Sequence, residues 1–286
     1  MTTPTIVSVQ SWVATGHVGN AAAQFALQRC GFEVCALPTT LLSNHPGHGA
    51  HAGQAIDPAL LAALVEGVAA RGVLASAAAL LSGYLATEPV AAVALDLPAS
   101  IPAAALYCCD PVLGDNGRLY VAPGIADLLS ARALPRADIL TPNQFELELL
   151  AGTPARTLAA ARAAAAGLAS RMRTNGRRLV LVTSLVTDET PATMIDLLLH
   201  GPAGDFLLRR PRIPGHFSGA GDLLAALFLA RLLGGLAPPA SLAGAVGATE
   251  AVLAATRAAG ADELALIAAQ DALVAPPGLP APQALP

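Results

Sequence analysis

Short apolar runs alternate with longer Ala- and Leu-rich stretches along almost the whole chain. The short runs have the length of buried strands and the longer ones that of helices, one of which begins with Asp57 as N-cap and Pro58 as first residue. The pattern predicts strands at residues 6–9, 32–37, 78–81, 106–109, 139–140 and 179–183, then a hairpin of residues 194–200 and 205–209. It predicts helices at residues 20–29, 58–70, 124–133, 143–150, 157–171, 221–233, 240–258 and 261–272. This alternation is typical of an α/β fold with a mainly parallel sheet and helices on both faces.

Neither a linker nor an internal repeat interrupts this pattern. We therefore expect a single domain over residues 1–275 of the 286-residue chain. Residues 276–286 are rich in proline, and we expect them to form a disordered tail.

All 16 basic residues are arginine, and the chain contains no lysine. A Walker A loop needs a lysine at the phosphates and a Schiff-base enzyme needs a lysine amine, so neither chemistry is open to this chain. The formal net charge of −4 also lacks the basic excess of a nucleic-acid binder.

The mean hydropathy of +0.57 invites a membrane interpretation, which the sequence does not support. The longest candidate span, residues 232–249, is interrupted by Pro238, Pro239 and several glycines. The N-terminus has no basic segment followed by an apolar core, so we expect a cytoplasmic protein without membrane contact. The four cysteines form no metal-type pair, and we expect the adjacent Cys108 and Cys109, which lie in an apolar run, to be buried free thiols.

Polar residues follow several of the predicted strands. In parallel sheets ligands bind at the carboxyl ends of the strands, so these positions are candidates for a site. They are Ser11, Tyr84, Asp110, Thr141, Asn143, Thr183 and Ser184.

The segment Ser218-Gly219-Ala220-Gly221-Asp222 opens a predicted helix. Small residues at a helix start leave backbone N–H groups accessible, and the helix dipole adds partial positive charge there, which suits a phosphate in transfer. Asp222 in the first turn can act as a base toward a hydroxyl beside this anion hole. The alternative is a glycine-rich turn whose aspartate only stabilises the helix dipole.

Acidic residues occur at two further turns. Asn143 and Glu146 have the spacing of a capping box, and Glu146 could also lie near phosphate-bound Mg²⁺, which accepts oxygen ligands, often through water. Asp110 and Asp115 flank a Pro/Gly turn; they could cap that turn, or order Mg²⁺ and nucleotide phosphates in a phosphoryl-transfer cleft.

The N-terminal region carries glycine and histidine clusters. The segment 16–20 lacks the full dinucleotide fingerprint, so a Rossmann cofactor is not expected. His45, His48 and His51 are spaced by three, but the surrounding proline and glycines indicate a flexible lid over residues 43–53 rather than a metal site.

Together these segments resemble the pyridoxal kinases of the ribokinase-like superfamily. The resemblance runs from about residue 6 to the helices beyond Asp222 and is carried by GHVGNAA, LLSNHPGHG, LLSGYL, YCCDPVLGDNG, ADILTPNQFELELL and SGAGDLLAALFLA. The last segment marks only the superfamily, whereas the GHVGN, SNH, SGY and DPVLGD segments are specific for the pyridoxal branch. The implied fold is a three-layer α/β/α sandwich, usually assembled as a homodimer.

The resemblance implies transfer of the ATP γ-phosphate to the 5′-hydroxyl of pyridoxal. It assigns Asp222 as base with Gly219, Ala220 and Gly221 as the anion hole. The implied substrate-binding residues are Ser11, Val18, His45, Pro46, Tyr84 and Asp222. The implied ATP-binding residues are Asp110, Asp115, Thr141, Asn143, Glu146, Thr183, Ser184, Gly219 and Gly221. Mg²⁺ would be held through Asp110 and Glu146, through water, and a monovalent cation such as K⁺ often assists such enzymes.

Three positions depart from the family pattern. Trp12 stands where a histidine is common, Leu42 where an aromatic residue is common, and Pro46 where a substrate-holding threonine is common. Hydrogen-bonding groups decide specificity, so a kinase of the same fold for a hydroxymethylpyrimidine stays open as an alternative. A non-catalytic vitamer-binding protein is a further alternative, against which the retained Asp222 argues. We hypothesise that Trp12 restores the missing aromatic surface.

Overall fold

A ten-stranded sheet forms the centre of the molecule, which is described here from a computed structural model covering residues 3–286. The strand order is β12-β11-β10-β9-β8-β5-β4-β1-β2-β3. The run from β9 through β8, β5, β4 and β1 to β2 is parallel, and antiparallel strands extend it at both edges. The strands are β1 (Thr5–Val13), β2 (Glu33–Leu42), β3 (Gly53–Ala55), β4 (Ala77–Ser82), β5 (Leu106–Cys109), a separate β6–β7 hairpin (Gly114–Asp115 and Arg118–Leu119), β8 (Ile139–Leu140), β9 (Leu179–Leu185), β10 (Met194–Gly201), β11 (Gly204–Pro211) and β12 (Gln283–Ala284).

Helices cover both faces of the sheet. They are α1 (Asn20–Arg29), α2 (Pro58–Ala70), α3 (Glu88–Ala94), α4 (Ile125–Leu128), α5 (Gln144–Ala151), α6 (Leu158–Arg171), α7 (Ala220–Leu233), α8 (Pro238–Ala259) and α9 (Gln270–Val274). One apolar core contains buried residues of α1, α7, α8 and α9, and the other those of α2 to α6. Alternate residues of β1 face the two cores, with Ile6 on one side and Val7 and Val9 on the other. The expected three-layer α/β/α sandwich is confirmed.

Several predicted elements have different bounds in the structure. β1 continues to Val13, so Ser11 lies within the strand, at a register shift between Gln10 and Trp12. The predicted helix 124–133 is a single α-helical turn continued by a π-helical turn at Leu129–Ala133. The predicted helix 261–272 is helical only from Gln270, because the preceding residues turn to pack Leu264 and Leu266 into the core. The α3 helix and strands β3, β6, β7 and β12 were not predicted.

The proline-rich tail differs from the expected disorder. Gln283 and Ala284 pair with β11, and the N–H of Leu285 donates to the carbonyl of Asp205 over 2.8 Å. The guanidinium of Arg162 donates to the Pro286 carbonyl, also over 2.8 Å. The physical reason is that an edge strand offers unpaired backbone groups, which the tail satisfies despite its composition.

Within residues 3–286, no helix combines the length and apolar character needed to cross a membrane. All four cysteines are free thiols, with Cys108 and Cys109 buried, as predicted.

Candidate active site

The carboxyl ends of the parallel strands and the start of α7 meet at one end of the sheet. Asp110 directly follows β5 and Thr141 directly follows β8, and the Thr141 hydroxyl donates to Oδ1 of Asp110 over 2.8 Å. Burial and then the nearby negative charges of Glu146 and Asp222 raise the pKa of Asp110. The structure therefore brings together acidic side chains that lie far apart in sequence, as the parallel-sheet prediction requires.

The first turn of α7 presents small residues to the cleft. Gly219 caps the helix with φ +86°, a left-handed conformation that favours glycine. A Cβ at Gly219 would overlap the carbonyl oxygen of His17. The first amides of a helix have no intrahelical acceptor, so the N–H groups that follow Gly219 can bind an anion. This geometry is compatible with the predicted anion hole of Gly219, Ala220 and Gly221.

Asp222 lies in the first turn of α7, and its orientation is fixed by the neighbouring loop. The N–H of Gly19 donates to Oδ2 of Asp222 over 2.8 Å. Burial raises the pKa of Asp222 to about 6, and the hydrogen bond from Gly19 opposes that rise. A carboxylate of this kind is ionised at neutral pH but is more basic than a solvated aspartate, as a general base needs to be.

Glu146 is 4% exposed and is held by backbone groups from two elements. Its Oε1 accepts from Leu113 N at 2.9 Å and Gly114 N at 3.4 Å, and its Oε2 accepts from Asn143 N at 2.9 Å. Asn143 in turn accepts from the Glu146 N–H, so the predicted capping box is present at the start of α5. Its side-chain amide also donates to the Gly114 carbonyl over 2.8 Å.

The surroundings of Asp110 and Glu146 oppose ionisation of their carboxyl groups and so raise the pKa of each. Burial raises the pKa of Glu146 to about 7, although its backbone hydrogen bonds lower it. The pKa of Asp110 lies well above its ordinary value, first because of burial and then because Glu146 and Asp222 are close negative charges. Mutual repulsion of this kind is relieved when a cation binds.

The donor set suits a hard cation held partly through water. Carboxylate and hydroxyl oxygens are the ligands that such ions prefer. Both oxygens of Glu146 are engaged by backbone N–H groups, which favours a contact through water over direct ligation. In residues 3–286, no group of three or more His, Cys, Asp or Glu side chains is arranged to hold a metal by itself.

The predicted substrate residues Ser11 and Val18 lie at residues 16–20 or directly beside them. This segment is called the substrate loop, after that prediction. Val18 is 5% exposed, and Gly19 lies so close to Ser11 that a Cβ on Gly19 would overlap the Ser11 hydroxyl. Tyr84 is half-buried, and its backbone carbonyl accepts from the Thr39 hydroxyl over 2.6 Å. The structure therefore places Ser11 and Val18 directly beside the Gly19–Asp222 contact.

The predicted lid, residues 43–53, lies against the start of α7. Pro46 is the first residue of a short 3₁₀ helix capped by His45, whose Nδ1 accepts from Gly47 N over 3.1 Å. The same Nδ1 is 3.2 Å from the Ser218 hydroxyl. Burial and then the neighbouring His48 lower the pKa of His45, which favours its neutral form.

The remaining predicted nucleotide residues lie on the side of the acids. Thr183 donates its N–H to the Pro142 carbonyl over 2.8 Å, and the exposed Ser184 has a left-handed φ of +52°. Asp115 accepts from Asn116 N over 2.7 Å in the β6–β7 hairpin. For Asp115 the turn-capping alternative is therefore realised, and a contact with nucleotide stays a prediction.

Two residues at this end of the sheet were missed by the sequence reasoning. Gln144 accepts from Val186 N over 2.9 Å and donates to the Ala155 carbonyl over 3.1 Å, which ties the start of α5 to the end of β9. Glu263 accepts from His17 N over 3.0 Å. No pattern in the Ala-rich segment around Glu263 distinguishes it from a surface residue, because the contact depends on a turn that the sequence did not predict.

Comparison with known proteins is consistent with this geometry. The family model of phosphomethylpyrimidine kinase matches residues 26–265. A pyridoxal kinase PdxY from Granulibacter bethesdensis is 46% identical over 275 residues, covering 95% of this chain and 96% of the relative. The PdxY of Deinococcus radiodurans is 45% identical over 271 residues, covering 93% and 91%.

A solved structure agrees over the whole chain. The pyridoxal kinase from Leishmania donovani in complex with ADP and pyridoxine superposes with a TM-score of 0.90 at 29% identity, covering 99% of both chains. The chain therefore belongs to the phosphomethylpyrimidine kinase family, together with the pyridoxal kinases that it resembles along nearly its whole length.

Proposed function

We propose that this chain is a pyridoxal kinase that transfers the γ-phosphate of ATP to the 5′-hydroxyl of pyridoxal. The observation that carries the proposal is the position of Asp222, whose carboxylate lies at the start of α7 and accepts from the loop that also borders Ser11. A single carboxylate thus adjoins both the proposed anion hole and the substrate wall, which is formed by Ser11 and the substrate loop. The names of its relatives, pyridoxal kinases of 45–46% identity, support this choice of substrate.

In the proposed reaction Asp222 accepts the proton of the 5′-hydroxyl as that oxygen attacks the γ-phosphorus, and the bond from this phosphorus to the β–γ bridging oxygen breaks to release ADP. The N–H groups that follow Gly219 stabilise the charge on the transferred phosphoryl group. Ser11 binds the pyridine ring, while Val18, His45, Pro46 and Tyr84 enclose it. Little covalent chemistry falls to the protein, because phosphoryl transfer depends mainly on positioning and charge.

The acid-lined side of the cleft is proposed to hold MgATP. Mg²⁺ would supply positive charge that offsets the nucleotide phosphates, with Asp110 and Glu146 holding it, through water at Glu146. The proposed ATP-binding residues are Asp110, Asp115, Thr141, Asn143, Glu146, Thr183, Ser184, Gly219 and Gly221. Activation by K⁺, a homodimeric assembly and a cytoplasmic location belong to the proposal, supported by the family resemblance.

A second candidate is a hydroxymethylpyrimidine kinase, favoured by one observation. Pro46 occupies the first turn of the lid helix and offers no hydroxyl to a substrate, unlike the threonine that is common there. The anion hole and Asp222 would serve either substrate equally, so the choice between the two depends on positions such as Trp12, Leu42 and Pro46.

The deciding experiment is a coupled ADP-release assay with MgATP and K⁺. Pyridoxal, pyridoxine, pyridoxamine and hydroxymethylpyrimidine are compared side by side at equal concentrations. The highest kcat/KM with pyridoxal is expected. Turnover of the pyrimidine alone would transfer the protein to the second candidate, and no turnover in a protein that still binds ATP would favour a non-catalytic vitamer-binding role.

A further inference from the structure

Glu263 connects two loops that are distant from it in sequence. Its Oε2 accepts from the backbone N–H of His17 over 3.0 Å, and its Oε1 lies 2.9 Å from Nε2 of His48. The carboxylate also packs on Gly16, where an added Cβ would overlap it. One side chain therefore touches both the substrate loop, residues 16–20, and the lid, residues 43–53.

The contact with the substrate loop continues toward the catalytic helix. His17, which donates to Glu263, presents its carbonyl to Gly219 so closely that no Cβ fits there. Two residues further along, Gly19 donates to Asp222 over 2.8 Å. The residue after Glu263, Leu264, is 2% exposed and packs against Gly219. A displacement of Glu263 would thus move the loop that orients Asp222 and borders Ser11.

The contact with the lid is of a different kind. The side chains of His48 and Glu263 are 28% and 29% exposed, so their contact lies near the surface, where such contacts contribute little to stability. A second contact holds the lid nearby, between His45 Nδ1 and the Ser218 hydroxyl at 3.2 Å. A lid that closes over a bound acceptor would have to break this contact in order to open.

We propose that Glu263 is a positioning residue, which holds the substrate loop in its binding geometry and fastens the lid over the bound substrate through His48. The inference rests on the proposed function, because Glu263 would position the loop that borders the proposed substrate residue Ser11. Glu263 touches neither the acids around Asp110 nor the nucleotide side of the cleft. It therefore governs the affinity for the phosphate acceptor and leaves the affinity for MgATP unchanged.

The test compares Glu263→Ala, Glu263→Gln and His48→Gln with the matched control Asp262→Asn, an exposed carboxylate one residue away. For Glu263→Ala we expect kcat/KM for pyridoxal to fall at least ~10-fold, mainly through a higher KM but also through kcat because the same loop orients Asp222, while KM for MgATP changes less than ~3-fold. Glu263→Gln keeps an oxygen for the His17 N–H but loses the charge facing His48. It should therefore rescue part of the loss and match His48→Gln.

A second readout does not depend on the substrate. Hydrogen–deuterium exchange of residues 43–53 in the ligand-free proteins should be faster in Glu263→Ala and His48→Gln than in wild type, and unchanged in Asp262→Asn. Failure of wild-type protein to phosphorylate pyridoxal would overturn the proposed function, while the exchange comparison would still decide the attachment of the lid.

Two results would overturn the role of Glu263. One is a Glu263→Ala protein with wild-type KM for pyridoxal and wild-type exchange. The other is a parallel loss of kcat and of both affinities with a lowered Tm, which would mean that Glu263 supports the fold rather than the substrate wall.

Discussion

The backbone N–H of Gly19 donates a 2.8 Å hydrogen bond to Oδ2 of Asp222, across 203 residues of sequence. This bond fixes the orientation of the carboxylate and leaves Oδ1 available to a substrate hydroxyl. It also joins residues 16–20 to α7, because the same loop packs on Ser11 and on Gly219. If Asp222 is the base and this loop borders the acceptor, as proposed, local geometry couples acceptor binding to alignment of the base.

Replacement of Asp222 by Asn should remove the base while preserving the loop. The amide oxygen of Asn can still accept from Gly19, so the dissociation constants of pyridoxal and MgATP should change less than ~3-fold, whereas kcat should fall at least ~10²-fold. Steady-state kinetics and equilibrium binding by calorimetry measure the two effects, with Asp262→Asn as control. A kcat near the wild-type value would exclude Asp222 as the base.

The same substitution should stabilise the fold in a pH-dependent way. The pKa of Asp222 is raised to about 6 in the folded protein, so wild type loses stability as the pH rises from the ordinary aspartate value through 6. The loss is at most about 3 kcal/mol and smaller after solvent screening. Asp222→Asn escapes this loss because its side chain stays neutral.

Chemical denaturation of both proteins at pH 5 and pH 8 checks this expectation. The free energy of unfolding of Asp222→Asn should exceed that of wild type at pH 8, and the difference should shrink at pH 5. Asp110 and Glu146 titrate in both proteins, so most of their contribution cancels in the comparison. A variant that is less stable than wild type at pH 8 would contradict the raised pKa.

The layered fold was predictable because it rests on local patterns. The period and length of the apolar runs identify the parallel strands, although β1 and β2 extend beyond their predicted ends. The capping box of Asn143 and Glu146 is equally local, and the structure contains it. Residues that follow parallel strands lie at the same edge of the sheet. Asp110 and Thr141 follow the neighbouring strands β5 and β8, so their contact agrees with the strand order.

Contacts that depend on irregular backbone could not be predicted in this way. Glu263 lies in an Ala-rich stretch with helical composition, and only burial of Leu264 and Leu266 turns the chain away from helix there. The strand pairing of Gln283 and Ala284 depends on the unpaired edge of β11, which tertiary structure creates. Residue composition therefore gave the wrong state for both segments, since the partner that decides the conformation is distant in sequence.

Gly219 should tolerate no side chain. Its φ is +86°, and a Cβ would overlap the His17 carbonyl, so Gly219→Ala must displace the substrate loop or the helix start. We expect kcat/KM to fall at least ~10²-fold, the usual cost of disturbing a hole that stabilises transferred charge. Gly72→Ala is the matched control, because Gly72 has φ +76° but nothing lies within 4 Å of its Cβ position. An equal loss of kcat/KM in Gly219→Ala and Gly72→Ala would show that the loss comes from backbone strain at a left-handed residue and not from the overlap with the His17 carbonyl.

Trp12 should contribute to acceptor binding and not to nucleotide binding. It is half-buried beside Ser11 near the end of β1, and its strand neighbour on β2 is Leu41. If its ring supplies the aromatic surface that Leu42 lacks, Trp12→Ala should raise KM for pyridoxal about 5- to 10-fold, since a buried aromatic contact contributes on the order of 1 kcal/mol. Trp12→Phe should restore most of the affinity, and KM for MgATP should stay constant in both variants. Initial rates measured at varied pyridoxal concentration test this expectation. An unchanged KM in Trp12→Ala would show that the Trp12 ring does not replace the aromatic surface missing at Leu42.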